Sequence, residues 1–162
     1  MGREFMDRKE FHSNNQRQTQ DLGEEFASQL SPGDVVALEG DLGAGKTEFV
    51  RGVCRFFNVQ DIVTSPTFAI INQYDGSVAG GSPVTIYHVD LYRVETPEQL
   101  RTVGFVEMVN DSTAIKFIEW PERARAEMPD RYWLVSLKND SSDDNARVIE
   151  ITAPERQMIV DY

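Results

Sequence analysis

Residues 40 to 47 read Gly-Asp-Leu-Gly-Ala-Gly-Lys-Thr, a G-x-x-x-x-G-K-[ST] pattern. In that spacing the backbone N–H groups of a glycine-rich loop wrap a β-phosphate. Lys46 sets a point charge at the β- and γ-phosphates, and the Thr47 hydroxyl is placed to ligate Mg²⁺. Gly40, Asp41, Leu42, Gly43, Ala44, Gly45, Lys46, Thr47 and the adjoining Glu48 are therefore the expected nucleotide-binding residues. Such a loop needs carboxylate near its metal and a group that orients the attacking water. Two strand-like runs supply acids at their ends: Thr85 to Val89 leads to Asp90, and Ala114 to Ile118 leads to Glu119. The second run is the more continuous, broken only by Lys116, which favours Glu119 as the metal-side acid. The spacing leaves open which of Asp90 and Glu119 holds Mg²⁺ and which polarises water.

Four more residues accompany these acids. Thr67, in Ser-Pro-Thr-Phe, holds the place in chain order of a switch threonine that senses γ-phosphate and Mg²⁺. Strand alternation puts His88 on the face of Asp90, and a structural role is favoured for its ring. Trp120 either packs near the nucleotide or anchors a helix start in the core. Arg93 either adds positive charge near the phosphates or holds a surface ion pair.

These residues need a scaffold that delivers them to one edge. A phosphate loop follows a buried strand and opens a helix. Val35 to Leu38 is a short apolar run introduced by Ser31-Pro32-Gly33-Asp34, and Phe49, Val50, Val53, Cys54 and Phe57 then recur on one helical face. Upstream, Thr19 to Leu30 reads as an amphipathic helix with Thr19 as its cap. Downstream, strands are expected over Phe68 to Tyr74 and Val84 to Asp90, with a flexible Gly/Ser-rich connection at 75–83. A short helix starts at Thr96-Pro97, a buried strand runs from Ala114 to Glu119, and a helical turn or two spans Pro121 to Met128. Strands at Tyr132 to Leu137 and Arg147 to Thr152 complete the series. The alternation predicts an α/β fold: a single P-loop NTPase domain with a mixed, partly parallel sheet flanked by helices. Residues 1–17 read as a flexible N-terminal extension, 18–155 as the domain and 156–162 as a C-terminal tail.

The chain has 162 residues and a formal net charge of −11. That charge should repel free nucleic acid, whose affinity comes mainly from neutralised phosphates, so no direct nucleic-acid binding is expected. No apolar run is long enough to span a membrane, and a cytoplasmic location is expected. A single cysteine, Cys54, excludes an internal disulfide.

Taken in order, Gly40 to Thr47, Ser-Pro-Thr-Phe (65–68), His-Val-Asp-Leu-Tyr-Arg (88–93) and Ile-Glu-Trp-Pro-Glu (118–122) strongly resemble the TsaE (YjeE) family. The likeness runs from about Thr19 to Thr152. It implies a small bacterial ATPase required for the threonylcarbamoyladenosine modification at position 37 of tRNA. It implies ATP or ADP with Mg²⁺, slow hydrolysis, and action on a complex of the proteins TsaD and TsaB. It also implies Mg²⁺ on Thr47 and Glu119, a second essential acid at Asp90, a switch-like Thr67 and a tryptophan beside the site at Trp120. Adenine is expected near Gln16 to Thr19 and Asp143 to Arg147. Two rivals stand beside this reading: a small P-loop metabolite kinase, for which Arg123, Arg125 and Arg131 would form a lid, and a nucleotide-dependent interaction module. A GTPase is disfavoured because no Asn-Lys-x-Asp guanine motif occurs.

Overall fold

The computed structural model describes residues 8–66 and 68–154. Its chain order is β1 (Arg8–Ser13), α1 (Gln16–Ala27), β2 (Val35–Glu39), α2 (Lys46–Phe56), β3 (Ile71–Ser77), β4 (Pro83–Asp90), α3 (Pro97–Thr102), α4 (Phe105–Val109), β5 (Ala114–Glu119), a 3₁₀ turn (Pro121–Ala124), β6 (Trp133–Asn139) and β7 (Arg147–Thr152). The seven strands form one sheet in the order β1-β7-β6-β2-β5-β4-β3. Its centre is parallel: β6, β2, β5 and β4 run together, while the β1–β7–β6 and β3–β4 pairings are antiparallel. The expected mixed α/β architecture is therefore present. Parallel strands must be covered on both faces, and the sequence provides for it: β2 and β5 are almost wholly buried.

Each face has its own core. On one, Phe49, Val50 and Val53 of α2 pack with Phe26 of α1 over Leu38, Ile86, Ile115 and Phe117. On the other, Leu100, Phe105 and Met108 of α3 and α4 cover Val35, Val89 and Ile118. Helices α1 and α2 cross closely because both carry glycine at the contact. A Cβ on Gly23 would overlap the Phe49 carbonyl, and one on Gly52 the Gln20 carbonyl. Helix α3 begins as expected, with Pro97 in its first turn and a capping box in which the Thr96 and Gln99 side chains each bond the other's backbone N–H.

The N-terminus departs from the sequence reading. Residues 8–17, expected as part of a flexible extension, form β1 and the first residues of α1. Strand β1 pairs with β7 from Arg8↔Thr152 to Ser13↔Arg147, and an Arg8–Glu150 ion pair joins them. Its run Arg-Lys-Glu-Phe-His-Ser is polar because this is an edge strand, where only Phe11 and Ser13 turn inward. The cap of α1 is Asn15, whose side chain accepts from the Gln18 N–H at 2.9 Å, and not Thr19. Thr19 lies buried inside the helix, its hydroxyl 2.8 Å from that of Ser13. Strand β3 starts three residues later than expected and runs on to Ser77, which shortens the 75–83 connection to a tight turn. The helical segment after Glu119 is one 3₁₀ turn, and α4 is an element the periodicity did not reveal.

Candidate functional site

Strand register assembles the site. In the parallel centre Leu38 pairs with Glu119, and Glu119 pairs with Asp90. Three adjacent strand ends thus meet at one edge, the position where open α/β sheets bind ligands. Residues 88, 90, 117 and 119 share the face that α2 covers, as alternation predicts. The chain leaves β2 at Glu39, turns through Gly40 to Gly45 and enters α2 at Lys46 on that same face.

The turn requires glycine. Gly43 and Gly45 have φ of +80° and +101°, a region that strains other residues. At Gly40 a Cβ would come within 2.6 Å of the Leu137 carbonyl oxygen. Gly45 is the N-cap of α2, and no side chain caps that helix start. The first N–H groups of α2 therefore face outward with the helix dipole behind them, an arrangement that fits phosphate. Arg147 on β7 braces the loop by donating to the carbonyls of Ala44 (3.1 Å) and Gly43 (3.2 Å).

Lys46 is nearly buried and folds back over the loop. Its Nζ donates to the Gly40 carbonyl at 2.6 Å and lies 3.5 Å from Glu119 Oε1. It also sits 4.7 Å from the centre of the Trp120 ring. The other oxygen of Glu119, Oε2, accepts from His88 Nε2 at 2.8 Å, and the His88 ring is fully buried. An ionised carboxylate only accepts, so the hydrogen of this bond is carried on Nε2. Nδ1 and the Trp120 Nε1 are the buried side-chain nitrogens and oxygens that lack a partner among the described residues. Trp120 also adopts a left-handed backbone (φ +58°), rare outside glycine and asparagine and frequent at functional sites. Trp120 starts the 3₁₀ turn, and its ring lies against Lys46.

Asp90 is 8 % exposed. Burial pushes its carboxyl above the ordinary aspartate range, and the nearby Glu119 charge pushes the same way. The Tyr92 N–H, which it accepts at 3.0 Å, and the Lys46 charge oppose that rise. Asp90, Glu119, Lys46 and Thr47 line one cleft of about 890 Å³. Asn15, Gln16, Arg17 and Thr19 line the same cleft, as do Asn145 and Arg147, so the two segments expected near adenine lie along its wall. Gly43, Gly45, Leu42 and Glu48 line it too; Asp41 and Ala44 sit behind the loop, and Trp120 stands one residue behind Glu119. Thr67, the expected switch threonine, falls outside the described residues.

The donors near Thr47 are hydroxyl and carboxylate oxygens, which suit a hard cation such as Mg²⁺. Among the described residues no three His, Cys, Asp or Glu side chains cluster into a metal cage. Two features escaped the sequence reading. A structural role is favoured for His88 from sequence, and the structure gives that role an object, Glu119, 31 residues away. Tyr92 packs on Trp120 with ring centres 5.0 Å apart, a contact that only the pairing of β4 with β5 creates.

Comparison with known proteins agrees with this geometry. The family model described as "Threonylcarbamoyl adenosine biosynthesis protein TsaE" matches residues 13–149. The chain is 40 % identical over 119 residues to the tRNA threonylcarbamoyladenosine biosynthesis protein TsaE of Haemophilus influenzae, covering 74 % of this chain and 70 % of that one. It is 34 % identical to the same protein of Rickettsia conorii, covering 89 % and 78 %. Identity to the Bacillus subtilis protein is 33 %, covering 86 % and 82 %. The crystal structure of Bacillus subtilis YdiB superposes with a TM-score of 0.75 at 29 % identity, over 92 % of this chain and 87 % of that one. With the phosphate loop, the acid pair and the tryptophan at one sheet edge and the family model spanning nearly all of the described chain, this protein belongs to the TsaE family of tRNA threonylcarbamoyladenosine biosynthesis.

Proposed function

We propose that the chain is a Mg²⁺-dependent ATP hydrolase of the cytoplasm that acts on the TsaB–TsaD complex during tRNA threonylcarbamoyladenosine synthesis. The observation that carries this reading is the convergence of Lys46, Glu119 and Asp90 at the uncapped start of α2. The loop N–H groups and Lys46 would bind and orient the triphosphate; to reach it, Lys46 exchanges its Gly40 carbonyl and Glu119 contacts for phosphate oxygen. Mg²⁺, held by Thr47 and one of the two acids, would neutralise charge on the β- and γ-phosphates. Glu119, fixed by His88, is the better placed to orient water, because one of its oxygens is already committed to the imidazole. Adenine would lie between the start of α1 and the Asn145–Arg147 segment. The acidic surface favours a protein partner over direct contact with tRNA.

The kinase alternative loses support. Arg123 donates to the Val94 carbonyl at 3.3 Å, which ties it to the body, and its segment is a single 3₁₀ turn too short to close as a lid. ATP turnover with and without Mg²⁺, alone and with TsaB and TsaD, tests the proposal. Glu119→Gln should keep ATP binding and lose turnover. Unchanged turnover removes Glu119 from the chemistry, and no nucleotide binding by the native chain sinks the whole reading. Binding without any turnover, even with partners, would leave the interaction module as the better account.

A further inference from the structure

Four cationic side chains line the cleft: Arg17, Lys46, Arg93 and Arg147. Three are engaged with oxygen. Arg17 donates to Asp21, Lys46 to the Gly40 carbonyl, and Arg147 to the carbonyls of Gly43 and Ala44. Arg93 has no oxygen partner among the described residues. Its guanidinium rests over the ring of Phe68, 4.8 Å from the centre, and that ring is itself 86 % exposed.

The backbone beneath Arg93 is firmly placed. It sits on a turn closed by the Val94 N–H donating to the Leu91 carbonyl at 3.0 Å. Leu91 and Val94 are buried on either side, and the Asp90 side chain fixes the Tyr92 N–H. Tyr92 packs on Trp120 and Trp120 on Lys46, so two rings tie the turn back to the phosphate-loop lysine. Only the Arg93 side chain is loosely held. A cation over an exposed ring gains roughly a two- to fivefold preference. A guanidinium on phosphate forms paired, charge-assisted bonds and is held far more tightly.

We infer that Arg93 reads the terminal phosphate: it rests on Phe68 when no triphosphate is present and turns into the cleft to meet the γ-phosphate oxygens when one is. The inference rests on the ATPase reading and adds to it a phosphate-contacting residue and a link to the surface. In hydrolysis the water oxygen bonds to the γ-phosphorus while the bond to the β–γ bridging oxygen breaks. ADP leaves with that electron pair, and inorganic phosphate carries away the water oxygen, with one proton released to solvent. Arg93 takes up no proton. It offsets the charge that spreads over the equatorial oxygens, as arginines do in other phosphoryl-transfer sites. Its departure from Phe68 uncovers that exposed ring to a partner, so the occupied γ-phosphate position is legible from outside.

The test compares Arg93→Ala, Arg93→Lys and Phe68→Leu with the native full-length chain. Affinity is measured with Mg²⁺ for ADP and for ADP with beryllium fluoride, which mimics the γ-phosphate, and turnover is followed in parallel. Arg93→Ala should keep ADP affinity within about twofold, bind the mimic about tenfold or more weakly, and lose kcat more than KM. Arg93→Lys should recover part of the loss. Phe68→Leu should tighten the mimic about two- to fivefold relative to ADP. Equal affinities of native and Arg93→Ala chains for the mimic overturn the inference. An unchanged ratio in Phe68→Leu overturns the resting place on the ring. If the native chain binds neither ligand, the ATPase reading falls as well; if it binds and hydrolyses ATP while Arg93→Ala is unaltered, only the inference falls. Unchanged melting curves, expected for two exposed positions, separate these effects from misfolding.

Discussion

Lys46 and Lys116 are both buried, at opposite ends of the central strands, and their surroundings differ in kind. Lys116 Nζ donates to three backbone carbonyls, those of Asp111 (2.7 Å), Gly33 (3.1 Å) and Ala114 (3.1 Å), so each ammonium proton has an acceptor. Burial still pushes this ammonium below the ordinary lysine range, with the charges of Asp111 and Asp34 pulling back. Lys46 has one carbonyl and a 3.5 Å contact with Glu119. Around it stand an acid whose charged form burial disfavours, an imidazole nitrogen and an indole N–H without partners among the described residues, and a left-handed tryptophan. One end of the sheet has settled its polar groups and contributes stability. The other keeps them unsettled, in keeping with the proposed binding of a charged ligand there.

Exchanging the two lysines' fates is the strongest way to break this contrast. Lys46→Ala should lower ATP turnover on the order of a thousandfold, with any loss of melting temperature confined to neutral pH, where Glu119 and Asp90 lose the charge that offsets theirs. Lys116→Met should do the reverse, leaving nucleotide affinity unchanged and removing about 2 kcal/mol of stability, because two or more carbonyls lose their donor. Cys54 reports that difference directly. Burial pushes its thiol up to about 12, so it is inert in the folded chain and labels only through opening. Labelling should quicken about thirtyfold in Lys116→Met and less in Lys46→Ala. Lost nucleotide binding in Lys116→Met would mean the two ends are not separate.

His88 offers the next effect. His88→Leu should reduce turnover about ten- to a hundredfold, with ATP affinity shifted less than about threefold, and His88→Gln, which keeps a donor at the same reach, should recover part of it. Equal loss in both variants would make the imidazole mere packing. Asp90→Asn gives a smaller effect of opposite sign on stability. Asp90 titrates higher folded than unfolded, so ionising it weakens the fold as pH rises from the ordinary value of about 4 through the raised one. The variant should melt higher than the native chain at neutral pH, and the gain should vanish in acid where both states are protonated. A lower melting temperature at neutral pH would show that Asp90 is satisfied where it stands. Smallest is Asn15→Ala, which removes the α1 cap and should cost about 1 kcal/mol by denaturant titration.

The sequence was most legible where local chemistry leaves few choices. Gly40 to Thr47 demands its loop because the glycine conformations and the lysine spacing have one known use, and β5 ends at Glu119 because five mostly apolar residues need full burial. Thr96-Pro97 announced α3 through a cap within four residues. What escaped depends on pairing across the chain. Nothing in Arg-Lys-Glu-Phe-His-Ser marks a strand until β7 lies beside it, and nothing near His88 names Glu119. Thr19 looked like a cap because its own neighbourhood allows one; the hydroxyl of Ser13, on another element, claims it instead.

The pairing of Arg8 with Thr152 also bears on how the protein is made. Strand β1 can join the sheet only after β7, the last of the described strands to leave the ribosome, has emerged. At synthesis rates of 5–20 residues per second that wait is on the order of ten seconds. Until it ends, the wall formed by Asn15 to Thr19 and the wall formed by Asn145 and Arg147 belong to separate stretches of a growing polypeptide. A nascent chain thus holds the Gly40–Thr47 loop well before both walls of the cleft stand beside it.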